Sequence, residues 1–86
     1  MDTAQTVPKK SKIVIDHFGY NVEGVSKADL GQFSEALYYF DKAIEEDPQD
    51  YVAYFNRASI KMRLGDIEGA RKDFKESELL DISESM

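Results

Sequence analysis

The sequence predicts an all-α fold of two stacked antiparallel helical hairpins with four main helices. Residue types recur at an interval of 34 positions, both copies place a glycine between two helical patterns, and both place an alanine four residues before a phenylalanine. The recurring pairs are Tyr20 and Tyr54, Lys27 and Lys61, Leu30 and Leu64, Gly31 and Gly65, Ala36 and Ala70, Phe40 and Phe74, and Asp47 and Asp81. Because one hairpin cannot bury its apolar faces alone, a repeat of this length indicates hairpins that pack on each other.

The first copy of the repeat predicts two helices. The first helix runs from about Asp16 to Leu30, and Gly31 is expected to end it, because glycine takes up the backbone conformation that follows many helices. The second helix runs from about Ser34 and ends before Pro48, since a proline disfavours helical geometry in the residue before it.

The second copy predicts two more helices of similar length. Asp50 is expected to cap a third helix over residues 51–64, because a side-chain oxygen at this position accepts hydrogen bonds from free backbone amides. Gly65 then ends the third helix, and a fourth is expected over residues 67–80.

These helices divide the chain into a leader, a two-repeat domain and a short tail. The expected ranges are 1–12 for a flexible basic leader, 13–82 for the domain, with repeats over about 17–50 and 51–82, and 83–86 for the tail.

The stretch over residues 12–16 leads from this leader toward the first helix. Ile13 and Ile15 alternate as in a strand, but a single strand has no partner here. The stretch is therefore expected to lead into the first helix or to pack against it. The basic residues before it faintly resemble a nuclear localisation patch, which is the weaker interpretation.

Composition excludes several classes of function. The 86 residues carry a net charge of -6, no cysteine and one histidine, which argues against nucleic-acid binding, disulfides and a structural zinc site. No apolar run is long enough to span a bilayer, and no nucleophile, base and orienting group are placed together. We expect a cytoplasmic protein that is not an enzyme, with no cofactor, no membrane partner and no nucleic-acid partner.

The two copies resemble the tetratricopeptide repeat family. The segments GQFSEALYYFDKAIEEDP and YFNRASIKMRLGDIEGARKDF carry the resemblance. The residues that match the family signature are Gly24, Ala36, Phe40 and Pro48 in the first repeat, and Ala58, Ala70 and Phe74 in the second. The resemblance implies a helical-repeat solenoid whose small residues let paired helices approach closely.

Some positions depart from the family pattern. Glu23 and Arg57 stand where large apolar residues are usual, and their opposite charges suggest an ion pair between the repeats. Lys27 and Lys61 replace aromatic residues, and their stems are expected to lie on the core with the ammonium groups in water.

The outer face of the second repeat is more polar than that of the first. Arg71 and Glu78 stand where the first repeat has Leu37 and Ile44, which favours a native end over a truncated array. Apolar residues near the tail are expected to fold back on the second hairpin or to contact another chain; they are Leu79, Leu80 and Ile82.

The resemblance implies that the first helix of each hairpin lines a concave groove for an extended or helical peptide. The positions that map to this groove are Phe18, Asn21, Val25, Val52, Phe55, Asn56, Ser59, Met62 and Arg63. Three of them have another interpretation: Phe55 can face the core, Met62 can fill a gap in it, and Asn56 can bond backbone between the hairpins.

Some members of the family that the chain resembles carry a clamp for the acidic carboxy-terminal carboxylates of heat-shock chaperones. In this sequence the residues of that clamp are incomplete. Asn56 matches one clamp asparagine, but Asn21 and Val25 stand where a lysine and a second asparagine would be. We therefore expect a protein-protein interaction module, adaptor or co-chaperone-like, that binds a hydrophobic peptide or amphipathic helix. The alternative is a self-associating element whose helix faces form a homodimer, which would supply a missing neighbour to two repeats.

Overall fold

The computed structural model describes residues 19–85, and these residues form four helices and no strand. Helix α1 covers residues 19–29, α2 covers Phe33–Glu46, α3 covers Tyr51–Arg63 and α4 covers Ile67–Ser85. Helix α3 packs against both α2 and α4, as stacked hairpins require. The all-α prediction is confirmed. The predicted leader, the stretch over residues 12–16 and the start of the first helix lie outside the described residues.

The two hairpin turns are closed in the same way at equivalent positions. Gly31 and Gly65 have φ angles of 78° and 88°, which residues with a Cβ rarely adopt. The amide of Gln32 donates to the carbonyl of Lys27 at 2.9 Å. In the second hairpin, the amide of Asp66 donates in the same way to the carbonyl of Lys61 at 2.8 Å. Both glycines therefore end their helices, as the sequence predicts.

Asp50 begins α3 by capping its first turn. Its Oδ1 atom accepts hydrogen bonds from the amides of Val52 at 3.1 Å and Ala53 at 3.3 Å. The amides of the first turn have no carbonyl partner within the helix, so the Asp50 carboxylate supplies the hydrogen-bond acceptor that they lack.

Helix α4 is longer than the sequence predicts. It continues past Leu80 to Ser85, so residues 83–85, for which the sequence predicts a tail, are helical. The physical reason is local: Ile82 stands where the first repeat has Pro48, and isoleucine does not disfavour helical geometry in the residue before it. Because the helix continues, Leu79 and Ile82 do not fold back on the second hairpin but remain about half exposed.

The core combines small residues with one large aromatic side chain. Phe40 is 1% exposed and packs beside Ala36 and Ile60. A Cβ added to Gly24 of α1 would overlap the Phe40 ring. Glycine at this position therefore lets α1 lie directly on the aromatic ring of α2. The other fully or nearly fully buried apolar residues are Ala43, Ala53, Ala58 and Ala70.

An ion cluster around the buried Asp73 joins three of the helices. From α3, Arg57 Nε and Nη2 donate to the two carboxylate oxygens of Asp73 on α4 at 2.7 and 2.9 Å, and Nη1 donates to Asp41 Oδ1 on α2 at 2.8 Å. Lys61 Nζ lies 3.0 Å from Asp73 Oδ2. The prediction that Glu23 pairs with Arg57 is therefore wrong, because the Arg57 guanidinium binds Asp41 and Asp73 instead.

The same cluster corrects the expectation for Lys61. Its ammonium group does not extend into water but contacts Asp73, whose side chain is 7% exposed. Burial by itself would raise the pKa of Asp73, but hydrogen bonds from Arg57 and Lys61 outweigh that effect and hold the pKa below its usual range. The hydrogen bond with Asp73 in turn raises the pKa of Arg57 above its ordinary value.

The contact between Gly24 and Phe40 predicts a large cost for a single methyl group. We expect Gly24→Ala to lower the free energy of unfolding by about 1–3 kcal/mol, because the added methyl group overlaps the ring of Phe40, which is itself buried in the core. Gly19→Ala is the matched control, since a Cβ there meets nothing within 4 Å, and it should be neutral or stabilising by up to about 1 kcal/mol. Urea unfolding followed by circular dichroism measures both; equal effects would contradict the packing argument.

Asp73 predicts a specific dependence of stability on pH. Because its pKa is lowered in the folded state, its ionised form stabilises the fold above the unfolded-state pKa of about 3.9, and this stabilisation is lost as the pH falls below that value. Asp73→Asn should cost about 1–3 kcal/mol at pH 7, since it removes the buried carboxylate that Arg57 and Lys61 both contact, and should flatten the acid decline in stability.

Asp41→Asn is the control for this prediction, because Asp41 binds the same guanidinium but its side chain is 54% exposed. It should cost less than about 1 kcal/mol at pH 7. Urea unfolding of both variants across pH 3–7 provides the comparison, and an acid decline as steep in Asp73→Asn as in the unaltered chain would be inconsistent with the cluster.

Candidate functional site

A shallow hollow lies between the amino-terminal halves of α1 and α3. Its volume is about 280 Å³, and it is lined by Asn21, Val22, Val25, Val52 and Asn56. The three valines leave 64%, 42% and 46% of their surfaces exposed, in chain order. An apolar surface of this kind between two hairpins is a candidate contact for a partner.

The two asparagines of the hollow connect the hairpins. Asn21 is buried, and its Nδ2 atom donates to Asp50 Oδ2 at 2.8 Å. Its Oδ1 atom accepts a longer bond, 3.5 Å, from Asn56 Nδ2. The partner of Asn56 is therefore a side chain, and the alternative interpretation that it bonds backbone between the hairpins is wrong.

Asp50 has two roles, of which the sequence predicts only the first. One carboxylate oxygen caps α3, and the other holds Asn21 of α1. The capping role follows from the sequence, because it depends on neighbouring residues. The bond to Asn21 joins residues 29 positions apart, and no local pattern indicates it.

The remaining predicted site residues on α3 lie outside the hollow. Phe55 is exposed and packs edge-to-face on Phe74, with ring centroids 5.4 Å apart. Ser59 Oγ donates to the carbonyl of Phe55 at 3.1 Å. Met62 is about half exposed, and the Arg63 guanidinium lies 5.4 Å from the centre of the Phe33 ring.

The structure therefore brings together four of the predicted residues, which are Asn21, Val25, Val52 and Asn56. Phe18 lies outside the described residues. Val22 lines the hollow but was not predicted, although its spacing of three from Val25 on a helix is the signal that would have found it.

The chemistry of the hollow is that of a contact surface. Its five lining residues carry no ionisable group, and the amides of its two asparagines are already hydrogen bonded. Within residues 19–85, no group of three or more histidine, cysteine or acidic side chains is placed to hold a metal ion. In the same part of the chain, no helix combines the length and hydropathy that crossing a bilayer requires.

Comparisons with known proteins support the repeat assignment. A family model described as Tetratricopeptide repeat matches residues 27–75. The chain is 44% identical over 54 residues to Tetratricopeptide repeat protein 36 of Danio rerio, which covers 63% of this chain and 29% of that protein. It is 38% identical over 58 residues to the homolog of that protein from Nematostella vectensis, which covers 67% of this chain and 32% of the relative.

A third relative contains a further domain. The chain is 43% identical over 44 residues to the Tetratricopeptide repeat and J domain-containing co-chaperone DNJ1 of Fusarium oxysporum, which covers 51% of this chain and 8% of that protein. The chain thus spans less than a third of the length of each of these relatives. No solved structure shows a significant match.

The bond between Asn21 and Asp50 predicts a measurable link between the hairpins. Asn21→Ala should lower the free energy of unfolding by about 1–3 kcal/mol, because it removes a part-buried hydrogen bond to a charged group. Val22→Ala, at the adjacent and exposed position, should change it by less than about 1 kcal/mol. Urea unfolding compares the two, and losses of the same size would show that the bond contributes little.

Proposed function

The chain belongs to the tetratricopeptide repeat family, and we infer from this and from the hollow that it is a non-enzymatic protein-interaction module. We propose that a hydrophobic peptide, or the apolar face of an amphipathic helix, binds along α1 and α3 with an apolar side chain in the hollow. Its role is that of an adaptor or regulatory protein.

The observation that carries this proposal is the exposure of three valines around hydrogen-bonded amides. Val22, Val25 and Val52 present apolar area to solvent, and covering such area is favourable. Because the amide nitrogens of Asn21 and Asn56 already donate to other side chains, a ligand that covers these nitrogens leaves each of them with a hydrogen-bond partner.

The same geometry argues against an acidic carboxy-terminal tail as the ligand. Val25 and Asn21 offer no positive charge, and the amide of Asn21 is held by Asp50. A terminal carboxylate needs several convergent charged donors. The co-chaperone among the relatives supports an adaptor role in a general way, while the hollow favours an apolar ligand over a charged one.

Self-association is the second candidate, and α4 provides the observation that favours it. Leu79 and Ile82 lie three residues apart on this helix and are 53% and 51% exposed. A second copy could cover them. A sedimentation mass near twice 9.8 kDa, with a melting temperature that rises with concentration, would support a homodimer, and a monomer at all concentrations would exclude it.

Peptide selection on the intact chain tests the binding proposal. A phage-displayed library of random peptides is selected on the immobilised chain, and the enriched peptides are synthesised and titrated by fluorescence anisotropy. We expect apolar residues to be enriched, and Val25→Asp to weaken binding by about tenfold or more, because it places a charge in the apolar contact.

Ile82→Asp is the matched control, since it introduces the same charge at a half-exposed apolar position on α4, away from the hollow. It should leave the affinity within about twofold. Circular dichroism verifies that both variants are folded. Enriched peptides whose affinity is lowered equally by both variants, or by Ile82→Asp alone, would place the binding surface elsewhere and contradict the proposal.

A further inference from the structure

An acidic turn lies beside the hollow at the end where the chain enters α1. Four acidic residues occupy the end of α2 and the turn to α3; they are Glu45, Glu46, Asp47 and Asp50. Val52, which lines the hollow, is two residues further on. The bond from Asn21 to Asp50 places this turn at the amino-terminal end of α1. The apolar hollow and a negative surface are therefore adjacent.

The amino-terminal part of the same chain has the complementary composition. Residues 19–86 contain 15 acidic and eight basic residues, a net charge of -7, whereas residues 1–18 contain three lysines and two aspartates, a net charge of +1. The lysines are Lys9, Lys10 and Lys12, and they directly precede Ile13, Val14 and Ile15. Basic residues followed by branched apolar residues match an acidic turn followed by a hollow lined with valines.

The chain is long enough for this segment to reach the hollow. Three residues lie between Ile15 and Gly19, the first described residue, and the four steps from one Cα to the next can span up to about 14 Å. The hollow begins at Asn21, only two residues into the described part of α1, and Val25 lies about 6 Å further along the helix axis. In an extended segment, Ile13 and Ile15 point to the same side.

We propose, on the basis of the binding function proposed above, that residues 12–16 occupy the hollow of their own chain. Ile13 and Ile15 cover the valines, and the three lysines face the acidic turn. A tethered segment has an effective concentration in the millimolar range, so it competes with a partner that is present at much lower concentration. The segment is thus an internal competitor that lowers the apparent affinity of the hollow for a partner.

A spin label on the segment tests whether it occupies the hollow. The chain has no cysteine, so Ser11→Cys provides a single attachment site. We expect the nuclear magnetic resonance signals of the amides of Val22, Val25 and Asn56 to lose most of their intensity, while Lys72 and Lys75 on α4 keep theirs. Dilution of the labelled chain with unlabelled chain must leave this pattern unchanged. Recovery on dilution would identify a second copy as the occupant and overturn the proposal.

A variant of the segment gives the matched control. With Ile13→Ser and Ile15→Ser added, the signals of the hollow should recover, because the apolar contact is removed. If the intensities in the labelled chain are never reduced, or remain reduced in this variant, the isoleucines do not fill the hollow and the proposal is overturned.

A synthetic peptide of residues 9–16 separates this proposal from the binding function itself. It should shift the amide resonances of Val22, Val25 and Val52 in the Ile13→Ser, Ile15→Ser chain. Its affinity for the unaltered chain should be lower by about tenfold or more. Equal binding to both chains would overturn self-occupation while leaving the groove as a peptide site. Failure of the peptide to bind either chain would overturn the proposed occupant, while peptides selected from the random library would still report on the groove.

Discussion

The arrangement of the helices depends on the hydrogen bonds that the Arg57 guanidinium donates to two aspartates. The guanidinium reaches Asp41 on α2 and Asp73 on α4 from a single position on α3. A bidentate bond restricts orientation as well as distance, so it limits how far α3 can rotate between its neighbours. Asn56 is the adjacent residue and faces α1 instead. The rotation that satisfies the buried aspartate is therefore also the one that presents the hollow.

The two repeats solve the same packing problem with different chemistry, and this limits what the sequence could predict. Tyr39 and Asp73 occupy equivalent positions 34 residues apart. In the first repeat, the Tyr39 ring lies 6.5 Å from the Tyr20 ring, whereas the second repeat places a buried carboxylate against Arg57 and Lys61. Equivalence between repeats suggested Glu23 as the partner of Arg57, but it cannot show which of several acidic side chains lies within reach after the helices have packed.

Local features were predictable because their causes lie within a few residues. Gly31 and Gly65 end helices through their own backbone conformation, and Asp50 caps α3 through amides two and three residues away. The contacts that form the hollow could not be predicted in the same way. The family pattern alone places Asn21 and Val25 in one groove, but the bond of Asn21 to Asp50 spans two helices and depends on how the hairpins stack.

The composition of the hollow limits how tightly it can bind by itself. Each of the three partly exposed valines offers about 1 kcal/mol when it is covered, since about half of its surface is already buried. The sum is below the 4.1 kcal/mol or so that corresponds to a millimolar dissociation constant. A ligand that binds more tightly must therefore extend beyond the hollow, either along α3 toward Phe55 and Met62 or onto the acidic turn with basic residues of its own. A tethered segment at millimolar effective concentration lowers the apparent affinity of a partner in proportion to how tightly the segment itself binds. It therefore competes about tenfold only where its basic residues add the contact with the acidic turn that the hollow alone does not supply.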